Sequence, residues 1–152
     1  MNYIRKADAA DASRIAEILI FSKRVNYRHI FNDDAVSFGE MQVLPLAQEY
    51  IDDEEKLRGV WVYDDEFVKG MIHIEGDEIA ELYVEPFFAG HGIGAELIEF
   101  AIKNFDVRKL LVLEKNARAI KFYEAHGFSL TGKRVPEEGT AEFTAEMVRF
   151  RN

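Results

Sequence analysis

Cysteine is absent from the 152 residues. That single absence excludes disulfides, thiolate-bound zinc, iron–sulfur ligation and thiol nucleophiles together, and it fits a reducing compartment. Positive charge is scarce as well: 19 Lys and Arg stand against 28 Asp and Glu, a formal charge of −9. A surface that wraps nucleic acid needs clustered positive charge, so that class is excluded, and a cationic small molecule or peptide is mildly favoured as a partner. Long apolar runs are missing too. The longest stretch without a formal charge, Pro86 to Ala95, has ten residues, well short of the ~20 a membrane-crossing helix requires. Arg5, Lys6, Asp8, Asp11, Arg14 and Glu17 interrupt any secretory signal core. A cytoplasmic location without membrane attachment is therefore the expectation. No Pro/Gly/Ser linker, repeat or low-complexity tract divides the chain, and 48% apolar residues are enough for one core.

What is present reads as alternating helix and strand. Asn2 to Arg5 suits an edge strand. Asp8 and Asp11 then precede Ile15, Ile18, Leu19 and Val25, an acidic cap followed by apolar residues at helical spacing, which predicts a helix over about 9–25. Residues 26–36 carry no clear pattern. A second helix is predicted over about 37–52, started or interrupted near Pro45, and Asp52-Asp53-Glu54-Glu55 reads as its solvated end or as a loop. Val60 to Tyr63, Phe67 to Ile74 and Ile79 to Val84 are rich in β-formers. With turns at Asp64-Asp65 and Gly76-Asp77 they predict an antiparallel meander. Ile93, Leu97, Ile98, Ala101, Ile102 and Phe105 fall on one helix face. Leu110 to Leu113 is a continuous apolar run, as in a strand covered on both faces. Asn116 caps a short helix that stops before Gly127, and Phe128–Lys133 and Glu142–Arg151 predict two last strands. Only Ile79 to Leu113 reads as strand–loop–helix–strand, so one right-handed parallel crossover is expected inside a mixed sheet, an α+β domain.

The chemistry is most legible at Ala89-Gly90-His91-Gly92-Ile93-Gly94. Alternate glycines let the backbone curve tightly and expose successive N–H groups, and the positive end of the helix that follows adds to a site for phosphate oxygens. A nucleoside-triphosphate loop would need Lys then Ser or Thr after the last glycine, where Ala95-Glu96 stands. A dinucleotide loop is closer, because Gly90 to Ala95 satisfies G-x-G-x-x-A and Glu114 lies near the end of the next strand. Against it, Pro86 to Ala89 separate strand from glycines, and no further β–α–β units follow Glu114.

Two further motifs stand in order with the loop: Leu82-Tyr83-Val84-Glu85-Pro86 before it, and Asn116-Ala117-Arg118-Ala119-Ile120-Lys121-Phe122-Tyr123-Glu124-Ala125-His126-Gly127-Phe128 after it. Together with the opening Ile4-Arg5-Lys6-Ala7, these resemble the GNAT superfamily of acyl-CoA-dependent N-acetyltransferases over nearly the whole chain. Ala89 departs from the Arg or Gln usual there. The resemblance implies a single N-acetyltransferase domain over residues 1–152. Its fold would be a central mixed, mostly antiparallel sheet with splayed fourth and fifth strands, flanked by helices.

The resemblance also implies acetyl-CoA as co-substrate, with no metal. It implies that the pantetheine arm lies between the splayed strands like an added strand. Leu82, Tyr83 and Val84 would bind the thioester and the arm, and Ala89, Gly90, His91, Gly92, Ile93, Gly94 and Ala95 the diphosphate. Asn116 and Ala119 would join the cofactor-binding set. The N–H of Leu82 or Tyr83 is placed for the oxyanion, and Tyr123 matches the position that protonates the departing thiolate. For the base, Glu81 is preferred over Glu78, which alternation puts on the opposite face, and over His73. Tyr27, Trp61, Tyr63 and Glu75 are candidates for lining the amine pocket. The implied reaction is acetyl transfer to a primary amine of a small molecule or peptide by direct attack; a homodimer is compatible with it. The alternative is a non-catalytic acyl-CoA-binding sensor of the same fold.

Overall fold

The computed structural model describes residues 2–34, 37–38 and 42–150. Seven strands form one sheet in the order β1-β2-β3-β4-β5-β7-β6. They are β1 (Ile4–Lys6), β2 (Val60–Asp65), β3 (Phe67–Glu75), β4 (Glu78–Val84), β5 (Lys109–Leu113), β6 (Phe128–Pro136) and β7 (Phe143–Arg149). Among the described residues the sheet is flanked by α1 (Ala12–Phe31), α2 (Val43–Asp52), α3 (Ile93–Phe105) and α4 (Ala117–Ala125). All strand pairs are antiparallel except β4–β5, which α3 connects as the parallel crossover.

Sequence explains most of these boundaries. Asp8 and Asp11 form a reciprocal capping box on the 3-10 turn Ala9–Asp11 that leads into α1. Arg5 fastens β1 to the same place, its guanidinium reaching both oxygens of Asp11 at 2.8 and 2.9 Å and Asp64 at 2.9 Å. α1 runs six residues past the expected end at 25 and stops at Asn32, a left-handed cap with φ 50°. α2 begins at Val43, with Pro45 in its first turn where a missing N–H costs nothing; the predicted start at 37 falls where residues 39–41 lie outside those described. The acidic run does not stay irregular: Glu54–Leu57 is a 3-10 turn, capped by the Asp53 side chain on the N–H of Glu55. Asp64-Asp65 is not a turn. β2 continues through Asp65, and the chain reverses at Glu66, with φ 69°. The last strand ends at Arg149, and Arg151 lies outside the described residues.

The sheet divides the core in two. On one face, Ile15, Ile18 and Leu19 of α1 and Tyr50 of α2 pack on Val60, Val62, Val68 and Met71. On the other, Leu97 and Ile98 of α3 pack with Ile72, Leu110, Phe128 and Met147. The α1/α2 layer reaches only the β1–β4 half. Leu111, expected to be covered, is therefore 43% exposed, and Leu130 of β6, beyond β7 at the sheet edge, is 49% exposed. Among the described residues no helix is long and apolar enough to cross a membrane.

One glycine holds the sheet's lower corner. Gly59 has φ 79°, and a Cβ there would sit 2.2 Å from the carbonyl oxygen of Ile74. Its own carbonyl accepts from the N–H of Ile74 at 2.8 Å. Gly59→Ala must break this approach as well as strain the backbone, so a loss of about 2–3 kcal/mol is expected. A urea midpoint unchanged from wild type would refute this.

Candidate active site

The sheet opens where the fourth and fifth strands begin to diverge. β4 and β5 pair only at Glu78–Lys109 and Ile79–Leu110. Beyond that, β4 stays on β3 up to Gly70–Val84, while β5 stays on β7 along its whole length. Leu82, Tyr83 and Val84 line the resulting gap with main-chain groups that face no neighbouring strand on the β5 side.

The gap leads into the glycine loop. Gly90 and Gly92 have φ of 84° and 81°, and a Cβ on either would meet nothing within 4 Å, so the loop presents open backbone rather than packing. Among the described residues, the N–H groups of 90–95 have no protein acceptor, whereas Ala89 donates to Pro86 and Glu96 to Gly92. These free donors converge at the N-terminus of α3, capped by Gly92. The third glycine has a different task. Gly94 lies inside α3, where a Cβ would come within 3.4 Å of the Phe122 ring, so it lets α4 approach α3 closely. Ala89 and His91 are exposed on the loop.

The strand end that feeds this loop is tied to α1. Glu85 is 4% exposed, and Arg14 reaches its carboxylate at 2.7 Å while donating to the Val68 carbonyl at 2.8 Å. Arg14 also pairs with Glu17 on its own helix. The Glu85 N–H donates to the Lys69 carbonyl at 2.9 Å.

On the far side of the gap, the Asn116 side chain accepts from the Ala119 N–H at 3.2 Å and fixes the start of α4. Ala119 and Tyr123, four residues apart, share one face of α4. Tyr123 is buried among aromatic rings, 5.3 Å from Phe122 and 6.0 Å from Phe128 between centroids. Burial raises its pKa, and Tyr27 adds to the rise. Tyr27 of α1 and Tyr83 of β4 place their hydroxyls 3.4 Å apart. Burial raises Tyr83 well above a normal phenol, and it raises Tyr27 against hydrogen bonding to Tyr83 and Asn116. Three elements distant in sequence thus bring three protonated phenols to the gap.

The carboxylates are arranged differently from expectation. Glu81 pairs with His73 across β3–β4, but Ile79 pairs with Ile74, so Ala80 is an extra residue, a β-bulge. The bulge shifts the alternation by one, and Glu78 and Glu81 lie on the same face, not opposite ones. That face also carries His73 and Glu75. Glu81 approaches His73 Nδ1 to 3.6 Å, and Glu75 approaches its Nε2 to 3.4 Å. The neighbouring groove, of about 820 Å³, is walled by α2, the 3-10 turn after it and the ends of β2–β4. It includes Trp61 and Glu75, as expected, together with Glu49, Tyr50, Asp53, Glu55 and Glu81. Tyr63 does not line it. It packs on the other face in the core against Tyr3, its pKa pushed up to about 12 by burial and the nearby Glu96. Sequence reading overlooked Tyr50, which belongs to no motif and which only the fold brings to Glu81, and it took Tyr83, inside the Leu82–Pro86 motif, for its main chain and not for its phenol.

Comparison with known proteins agrees with this geometry. Residues 56–130 match the model of the acetyltransferase (GNAT) domain. The chain is 30% identical over 116 residues to the peptidyl-lysine N-acetyltransferase YjaB of Salmonella typhimurium, covering 76% of this chain and 77% of that protein. In structure it resembles apo-form YjaB from Escherichia coli, with a TM-score of 0.69 at 22% identity and 95% coverage of both chains. It also resembles the PaiA N-acetyltransferase of Thermoplasma acidophilum solved with coenzyme A, with a TM-score of 0.66 at 21% identity, covering 94% of this chain and 96% of that one.

Proposed function

This chain belongs to the GNAT superfamily of acyl-CoA-dependent N-acetyltransferases, and from that premise we propose that residues 1–152 are one domain that moves an acetyl group from acetyl-CoA to a primary amine, the ε-amine of a peptide lysine or that of a small cationic molecule. The observation that carries this reading is the half-open β4–β5 gap ending in a loop whose 90–95 amides are free. A peptide-like arm fits the first as an extra strand, and a diphosphate fits the second. The YjaB relative of Salmonella typhimurium is a peptidyl-lysine N-acetyltransferase, and the groove beside Glu81 holds more acidic than basic side chains, which suits an ammonium group.

Acetyl-CoA supplies an activated acyl group with a thiolate leaving group; the chain's residues do the rest. Leu82, Tyr83 and Val84 hold the arm, and the N–H of Leu82 or Tyr83 donates to the oxygen that gains charge. The N–H groups of residues 90–95 hold the diphosphate, Ala89, whose N–H is taken by Pro86, adding no donor of its own, and Asn116 and Ala119 border the arm. Glu81 takes the proton from the incoming ammonium, because only the neutral amine has a lone pair to attack with. Tyr123 then gives a proton to the departing sulfur. Its buried phenol stays protonated at neutral pH, which suits an acid and not a base.

Acetyl-CoA at ~100 times its dissociation constant adds about 2.7 kcal/mol to the folded state. That corresponds to a midpoint rise of roughly 5–11 °C for a domain of this size. No rise at millimolar acetyl-CoA would overturn the reading. Acceptors are then ranked by thiol release over lysine peptides, polyamines, aminoglycosides and amino acids. Since the protein has no cysteine, every thiol detected comes from coenzyme A.

A further inference from the structure

We propose that His73 is a positioning residue for Glu81, relaying the acceptor's proton from the Glu81 carboxylate through its imidazole ring to Glu75 and out to water. This inference rests on the reading of Glu81 as the base. Three side chains on one face of two paired strands form a line. Glu81 faces Nδ1 at 3.6 Å, and Glu75 faces Nε2, the opposite nitrogen of the same ring, at 3.4 Å.

Exposure changes in the right direction along that line. The side chains of Glu81 and His73 are 26% and 15% exposed, and that of Glu75 is 66% exposed, so the outer carboxylate is the one most open to solvent. The alignment depends on the Ala80 bulge, which turns Glu81 toward the His73 face. A base that has taken one proton must lose it before the next turnover. Beside half-buried Glu81, the imidazole is the neighbouring group that can both accept and donate.

The acceptor's N–H bond breaks and its proton joins a Glu81 oxygen, leaving a neutral amine and a neutral carboxyl. That carboxyl passes the proton to unprotonated Nδ1, and the Nε2–H proton leaves to the Glu75 carboxylate and then to water. Glu81 is again a carboxylate, and the ring regains its starting tautomer by exchange with water in the open groove. No oxidant, reductant or further reactant takes part.

The relay requires a neutral ring, and this sets its pH dependence. Glu81 and Glu75 on the strands act on His73, as does the Arg58 backbone, and together they hold its pKa above the usual imidazole value against the opposing effect of burial. From α2, Glu49 and Tyr50 also line this groove; Lys56 there is paired with Glu49 at 3.7 Å. Steady-state acetyl transfer therefore rises with pH through the imidazole's raised pKa.

The test follows steady-state transfer from acetyl-CoA to an Nα-blocked lysine peptide across pH 5.5–9 in five proteins: wild type, His73→Gln, His73→Gly, Glu75→Gln and Glu81→Gln. His73→Gln is expected to slow transfer at least tenfold and to remove the acid limb contributed by the ring. The acetyl-CoA dissociation constant and the melting midpoint should be unchanged, and added imidazole should recover part of the rate in His73→Gly. Glu75→Gln, at an exposed site, should slow transfer about threefold or more. The relay is overturned if His73→Gln keeps the wild-type rate, or keeps the wild-type acid limb at a reduced rate, while Glu81→Gln is inactive; the base then stands alone. Full activity in Glu81→Gln overturns the base reading and the relay with it. Should His73→Gln not fold, wild-type kinetics in Glu75→Gln overturn the relay.

Discussion

Tyr123→Phe is expected to lower kcat by roughly 10²–10³, while the acetyl-CoA dissociation constant stays within about twofold of wild type. The ring sits against Phe122 and Phe128, and phenylalanine preserves that packing, so the substitution removes one hydroxyl and little else. Its pKa is raised by burial. The proton is thus on the oxygen at every pH where the protein is assayed, and the loss should be uniform across the pH range. This separates Tyr123 from the Glu81–His73 pair, whose removal alters the profile's shape. Rapid-quench kinetics with calorimetric titration of acetyl-CoA measures both quantities. A variant with full kcat would remove Tyr123 from the mechanism. A protein that binds acetyl-CoA and has no rate to lose would be a sensor.

Arg14→Met is expected to cost about 3–5 kcal/mol, because it leaves the Glu85 carboxylate buried without its counter-charge. At roughly 2–4 °C per kcal/mol for a domain of this length, the melting midpoint should fall by about 6–20 °C. The Glu17 contact, exposed and within one helix, contributes little of this. The double variant Arg14→Met with Glu85→Leu should regain most of the loss, since the penalty belongs to the unpaired charge and not to the missing attraction. A single variant within 1 kcal/mol of wild type by urea titration would show that Glu85 finds water or another donor. The pair also fixes the end of β4 just before the glycine loop. The double variant therefore tests whether that anchor affects acetyl-CoA affinity separately from stability.

Local chemistry made much of this molecule readable from residues alone. The Asp8–Asp11 box, the Asn116 cap, Gly127 after α4 and the apolar stripe of α3 each depend on neighbours within one helical turn. The glycine loop was legible for the same reason, although Gly94 turned out to serve packing against Phe122 and not the backbone curve. What escaped depends on partners far along the chain. The Ala80 bulge is a property of two strands in register, and no pattern within β4 announces it; strict alternation therefore placed Glu78 and Glu81 on opposite faces. Leu111 sits in an apolar run, yet α1 and α2 stop short of it, and helix placement is invisible to a four-residue window. Tyr27, Tyr50 and His73 stand on three elements other than β4, and only folding brings them to the Glu81 carboxylate. Glu66 took the reversal expected at Asp64-Asp65 because strand pairing continued two residues further than turn propensity indicated.

The short seam at Glu78–Ile79 and Lys109–Leu110 has a mechanical consequence. Empty, the sheet amounts to two plates riveted at one corner. A ligand laid along the cleft would splint them together, so affinity and stiffness arise from the same contacts. On the proposed reading the splint is withdrawn after every acetyl group is delivered, so a looser corner should let the spent carrier leave faster.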